Sequence, residues 1–447
     1  MTSWPDVRFA KVDGVHIAYE VSGAGALDLV VTVNYALPFE AAWDEPGFAR
    51  FLERLGSFAR VIRFDRRGLG LSDPAPDPYT LEQSPRDFVA VLDDLGVERA
   101  AFFGLDMSSS SMGILCAATH PSRVSSLVLV HPQPRFVRTD DYPWGMRLET
   151  LVERREEFER GNVSSEGMRG YFPTRSGDPR FFDWLKRWRR RGASPSTTIG
   201  ISRAWNELDI RPVLPTVRVP TLVLRRVGCD APPDTAEHCR YVAEHIPQAR
   251  YIELPGVDHA AFVGETSPLL DAAEEFLLGA KATVVADDRV FATVLFTDIV
   301  SSTPRTAALG DRRWRELLDA HDEAVRREVE RFRGRVVKST GDGILATFDG
   351  PARAVRCAQS VGAAVGRLDL EMRVGIHAGE VELRGEDITG IAVNIARRVC
   401  DSAATGELLV SRTVVDLVAG SGLSFDDRGE HELKGVPDSW RLYAVAS

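Results

Sequence analysis

Phe296-Thr297-Asp298-Ile299-Val300-Ser301-Ser302-Thr303 and Lys338-Ser339-Thr340-Gly341-Asp342-Gly343 are the two stretches on which the reading of this chain turns. The first carries an apolar run onto a carboxylate and then into small polar residues, so Asp298 is expected at the end of a strand. The second sets Asp342 between two glycines, as in a tight turn joining two strands. Carboxylates that converge from two strand ends make hard oxygen ligands suited to Mg²⁺ or Mn²⁺. The small residues after Asp298 are expected to leave backbone N–H groups free for a polyphosphate. No G-x-x-x-x-G-K-S/T segment occurs, so this is not a P-loop. Taken alone, two acidic turns are more often structural than functional.

Around these stretches the pattern reads as a strand from Phe291, a helix over about Arg312 to Phe332, and strands at 335–338, 344–348 and 372–377. Two further motifs follow in order, RVGIHAGEV at 373–381 and DITGIAVNIARRV at 387–399. Together the four resemble the class III adenylyl and guanylyl cyclase catalytic domain, an α+β fold. The resemblance runs from about Phe291 to Val445 and includes ELKGV at 432–436.

The resemblance implies a role for each matching residue. Asp298 and Asp342 match the aspartates that hold two Mg²⁺ or Mn²⁺ ions, with the Ile299 carbonyl completing the shell. Lys338 matches the base-selecting lysine and Asp387 its acidic partner. Asn394 and Arg398 match the pair that orients the ribose and stabilises the transition state. Arg373 is a weaker candidate for a phosphate contact. Arg397 stands where the family has alanine and is expected to point to the surface. The implied activity is conversion of ATP to cyclic AMP and pyrophosphate, in a head-to-tail homodimer whose sites draw on both chains. Adenine offers an acceptor at N1 and a donor at N6, which complement an ammonium and a carboxylate. Guanine reverses both, so ATP is favoured over GTP, and a guanylyl cyclase is the nearest alternative.

The first part of the chain alternates short apolar runs with helical patterns. Leu29-Val33, Val61-Phe64, Ala100-Phe103, Leu127-Val130 and Thr221-Leu224 read as buried strands of a mostly parallel sheet with helices on both sides. Asp65-Arg66-Arg67-Gly68-Leu69-Gly70-Leu71-Ser72-Asp73 and Gly256-Val257-Asp258-His259 resemble the α/β-hydrolase fold over about residues 10 to 279, with a helical cap at about 134–212. At the strand-to-helix turn Gly104-Leu105-Asp106-Met107-Ser108, Asp106 takes the nucleophile position and Ser108 replaces a glycine. An aspartate there tolerates a strained φ and could form an ester that His259 hydrolyses, with Asp230 orienting the imidazole. Asn34-Tyr35 in place of the usual oxyanion-loop residues, and Met107 after the nucleophile position, point instead to a degenerate domain that binds a small molecule or supports the fold. Both readings, a bifunctional hydrolase and a sensory or structural domain, stay open.

Length and composition set the frame. At 447 residues the chain exceeds one compact core. We expect an α/β-hydrolase-like domain over 1–279, a linker over 280–290 and a cyclase domain over 291–447. A net charge of −10 argues against a nucleic-acid partner. The run Arg187-Trp188-Arg189-Arg190-Arg191 reads as a solvated helix face. Five scattered cysteines form no C-x-x-C pair, which suits a reducing compartment without a disulfide framework. No apolar run reaches the length of a membrane span and the start lacks a signal-peptide core, so a cytoplasmic protein is expected.

Overall fold

The computed structural model describes residues 5–33, 37–74, 83–159, 168–280, 289–384 and 387–446. The chain divides into two compact units, Met1–Asp287 and Asp288–Ser447. Asn34 and Tyr35 lie outside the described residues, as do linker residues 281–288.

The first unit is built on β1 (Val7–Val12), β2 (Val15–Ser22), β3 (Leu27–Thr32), β4 (Ala59–Phe64), β5 (Ala100–Gly104), β6 (Val124–Val130), β7 (Thr221–Arg226) and β8 (Arg250–Leu254). They lie in the order β1-β2-β4-β3-β5-β6-β7-β8. From β4 through β8 every pairing is parallel, while β1 and β2 join antiparallel at one edge. The apolar runs are continuous because these strands are covered on both faces. Helices Pro46–Gly56, Gln83–Asp94, Met107–Thr119, Thr235–His245 and Ser267–Ala280 alternate with them.

Between β6 and β7 the chain inserts helices Leu148–Glu159, Pro179–Gly192 and Pro195–Glu207, the expected cap. The middle one buries Phe181, Trp184, Leu185 and Trp188 at helical spacing and leaves Arg187, Arg190 and Arg191 exposed. Its two indoles donate to the carbonyls of Ala41 and Pro38, so their polar edges are satisfied inside the core. The solvated face expected of the run 187–191 thus holds for Arg187, Arg190 and Arg191, while Trp188 belongs to the core.

The second unit holds β9 (Arg289–Ile299), β10 (Arg335–Ser339), β11 (Ile344–Phe348), β12 (Met372–Arg384), β13 (Asp387–Thr389), β14 (Leu408–Ser411), β15 (Phe425–Glu432) and β16 (Ser439–Val445). The sheet runs β10-β11-β9-β12-β14-β16-β15, with β13 hairpinned onto the end of β12. Helix Asp311–Arg331 follows β9 closely, and Pro351–Gly366 and Ile391–Ser402 cover the sheet. The long β9–β12 pairing sets Asp298 directly opposite Arg373. Paired residues of an antiparallel ladder face the same side, so this register decides what Asp298 meets.

Candidate functional site

At the end of β9, Thr297, Asp298 and Ile299 are all buried. The turn after β10 folds back onto them. The Ile299 N–H donates to the Asp342 carbonyl at 2.9 Å, and the Ile344 N–H donates to Thr297 Oγ1 at 2.9 Å. Gly343 makes the approach feasible: a Cβ there would sit 1.8 Å from the Thr297 carbonyl oxygen and 3.2 Å from the Asp298 Cα. Gly341, at φ +102°, supplies the reversal. Ser302 donates its hydroxyl to Asp342 Oδ2 at 2.6 Å. Asp298, Ile299 and Asp342 thus flank one strand end with oxygen donors alone, which fits a hard divalent cation.

The Asp298 carboxylate has cationic neighbours of its own. Arg373 donates twice to Oδ2, at 2.8 and 2.6 Å, as the register requires. Arg397 lies 3.5 Å from Oδ1 and over the Phe296 ring, and its Nε is 3.1 Å from Asp401. The expectation that Arg397 points to the surface is corrected. Counting from Arg398, one helical step turns residue 397 toward the sheet, where it reaches the buried Asp298. The expectation of free N–H groups after Asp298 also narrows, because Ile299 and Val300 donate to the carbonyls of Asp342 and Glu371.

On β10 and β13, Lys338 Nζ donates to both oxygens of Asp387, at 2.9 and 2.6 Å. The bond from Lys338 holds the Asp387 carboxyl below the usual carboxylate range. Asn394 and Arg398 occupy helix Ile391–Ser402 four residues apart, hence on one face, with Asn394 exposed. Arg398 donates through Nε to the Lys434 carbonyl and through Nη1 to Asp401, both at 2.9 Å. It touches neither Asp298 nor Asp342 among the described residues.

The turn after β5 is different in kind. Asp106 has φ −163° and ψ −178°, so its backbone is extended and unstrained, contrary to expectation. It caps helix Met107–Thr119: Oδ1 accepts from the N–H groups of Ser108 and Ser109, and Ser109 Oγ accepts from the Asp106 N–H. Burial pushes its carboxyl above the usual range. His259 is buried with Nε2 unpartnered, and shares no hydrogen bond with Asp106 among the described residues.

Nor does Asp230 orient His259. Asp230 is exposed and accepts from the Asp234 N–H, while Cys229 Sγ lies 3.8 Å from His259 Nδ1. Burial lowers the His259 imidazole to about 4, so it stays neutral in the fold. His131, with Cys229 and His259, makes a compact cluster that the sequence did not announce. His131 Nε2 accepts from the Arg226 N–H and its Nδ1 donates to the His259 carbonyl, each at 3.0 Å. With both ring nitrogens spent on backbone, this histidine braces the loop rather than offering a lone pair to a metal.

Comparison with known proteins finds a family for each of the two units. Residues 23–277 match the alpha/beta hydrolase family, and residues 285–447 match the adenylate and guanylate cyclase catalytic domain. The chain belongs to the alpha/beta hydrolase family and carries a class III cyclase domain behind it. The cyclase domain is 31% identical over 133 residues to "Putative adenylate cyclase 3" of Rhizobium meliloti, covering 28% of this chain and 22% of that protein. The hydrolase domain is 29% identical over 255 residues to the pimeloyl-[acyl-carrier protein] methyl ester esterase of Nitrosomonas europaea, covering 56% and 94%. A bromoperoxidase from Bacillus anthracis shares the hydrolase fold, with a TM-score of 0.54 at 22% identity over 61% of this chain and all of that one. The chain spans 22% to 44% of the length of the first curated relatives it matches.

Sequence reading of the cyclase domain assigned no role to Ser302 or Asp401 and sent Arg397 to the surface. The Arg397–Asp401 spacing of four on a helix was a legible signal for an ion pair, and Arg398–Asp401 at three was another. In the hydrolase domain nothing in the sequence separates Cys229 from Asp230 as the neighbour of His259. Among the described residues no helix is long and apolar enough to cross a membrane.

Proposed function

We propose that this cyclase domain is an adenylyl cyclase, converting ATP to 3′,5′-cyclic AMP and pyrophosphate at sites shared by two copies of the chain. The observation that carries the choice of ATP is the Lys338–Asp387 pair, with Nζ 2.6 and 2.9 Å from the carboxylate oxygens. An ammonium and a carboxylate held side by side match adenine N1 and the N6 amino group, and mismatch both edges of guanine. Dimerisation is supported by Ile391 and Leu383, exposed apolar side chains close in sequence to Asp387 and Asn394. Among the described residues Arg398 touches neither metal aspartate of its own chain, and its bonds to Asp401 and the Lys434 carbonyl would hold it in place for the partner's site.

The reaction joins the ribose 3′-oxygen to the α-phosphorus, releases the 3′ proton and breaks the bond to the pyrophosphate oxygen. Asp298, Asp342 and the Ile299 carbonyl would hold two Mg²⁺ or Mn²⁺ ions, whose charge would acidify the 3′-hydroxyl and neutralise the polyphosphate. Asn394 positions the ribose. Arg398, already aimed by Asp401 and the Lys434 carbonyl, donates to the α-phosphoryl oxygens as their charge grows. Arg373, held on Asp298, puts a fixed positive charge beside the phosphate position.

The hydrolase domain acts as a sensory or structural part, binding a small molecule if it binds anything, because Asp106 is committed as a helix cap. The whole protein works in the cytoplasm, where ATP is supplied. In a mixed ATP and GTP assay with Mn²⁺ or Mg²⁺, the full chain is expected to make mainly cyclic AMP. Asp342→Ala is expected to bring the rate to background with an unchanged circular dichroism spectrum. Cyclic GMP as main product would convert the assignment to a guanylyl cyclase, and no product with either cation would end it.

A further inference from the structure

Asp298 is only 5% exposed and has two guanidinium groups against it, one on each oxygen. A divalent ion entering there meets two positive charges beside the one negative charge it needs. The two arginines differ in how they are held. Arg373 is fixed opposite Asp298 by the β9–β12 register. Arg397 rides on a helix and shares its guanidinium between Asp298, at 3.5 Å, and Asp401, at 3.1 Å. It therefore has a second carboxylate to fall back on, one helical turn along its own helix. Its guanidinium carbon lies over the Phe296 ring, 5.7 Å from the centroid, a third contact that keeps the head near both carboxylates.

The geometry points to Arg397 as a built-in counter-cation that competes with the divalent ion for Asp298, and to Asp401 as the residue that draws it off. The pair sets the cation concentration at which the site fills. This rests on the reading of Asp298 and Asp342 as the metal-binding pair. Because both side chains of the Arg397–Asp401 pair are about one-third exposed, solvent limits the size of the effect.

Binding of Mn²⁺ to the full chain without nucleotide, followed by electron paramagnetic resonance, reads the competition apart from turnover. Arg397→Ala is expected to bind Mn²⁺ roughly three- to tenfold more tightly than wild type. Asp401→Asn, which leaves Arg397 with Asp298 alone, is expected to bind it more weakly, and the double variant follows Arg397→Ala. Opposite signs from two neighbouring substitutions are not what a shared loss of structure gives. Unchanged or weaker binding in an Arg397→Ala protein that melts like wild type would overturn the proposal alone. Wild type that binds no Mn²⁺, or Asp342→Ala that binds it equally well, overturns the metal site itself.

Discussion

Asp106 stands where the hydrolase fold keeps its nucleophile, yet its Oδ1 already accepts from the backbone and hydroxyl of both Ser108 and Ser109. A carboxylate engaged in this way is a poor attacking group, and the extended backbone does not thrust it outward. The residue is better understood as the N-cap of a buried helix. Asp106→Ala should then cost about 1 kcal/mol and lower the melting temperature by a few degrees, whereas Asp106→Ser should cost less. Esters, epoxides and haloalkanes should not be turned over by the wild-type protein. Hydrolysis that vanishes in Asp106→Asn would restore the nucleophile reading. His259 teaches the same lesson at its own position. Sequence spacing offered Asp230 as its partner, but a chain displaced by a single residue puts the Cys229 sulfur there and turns Asp230 to solvent. Side-chain partnership of this kind depends on loop backbone angles, which no residue pattern encodes.

At the scale of elements, the sequence was most legible where burial leaves a regular mark. The parallel strands β3 to β7 read as unbroken apolar runs because helices cover both faces. The helix found at Asp311–Arg331 was read within one residue of its ends. Strand β15 escaped notice because Phe425–Glu432 is mostly polar and exposed on a sheet edge. Three-residue β13 is too short for any period, yet it carries Asp387 to Lys338. What sequence could not give at all was register. The antiparallel offset of β9 on β12 puts Arg373 against Asp298. The turn at Gly343 is the tightest joint in the site, and it is testable. Gly343→Ala places a methyl 1.8 Å from the Thr297 carbonyl oxygen, so the turn must move away from β9. Cyclase activity should fall by at least about tenfold while the domain stays folded, since misplacement near 1 Å can cost about a hundredfold. Wild-type activity in Gly343→Ala would show that this approach does not matter to catalysis.

For the whole molecule the decisive question is whether one chain can make an active site. Each chain has the oxygen donors at the end of β9 and the Lys338, Asp387, Asn394 and Arg398 group, but Arg398 is tied to Asp401 and the Lys434 carbonyl of its own chain. In a two-fold dimer with shared sites, Asp298→Ala and Arg398→Ala each damage both sites. Mixed dimers concentrate the two lesions in one site and leave the other whole. Half of randomly exchanged dimers are mixed and each has one intact site of two, so activity should return to about a quarter of wild type per chain. Asp298→Ala mixed with Asp342→Ala should recover nothing, because both lesions lie on the same side of every site. The measurement is cyclic AMP production before and after mixing, with exchange verified by capture of a tag carried on one variant. Exchange without recovery would place all of the chemistry within a single chain, and with it would go the idea that the exposed Leu383 and Ile391 face a second copy.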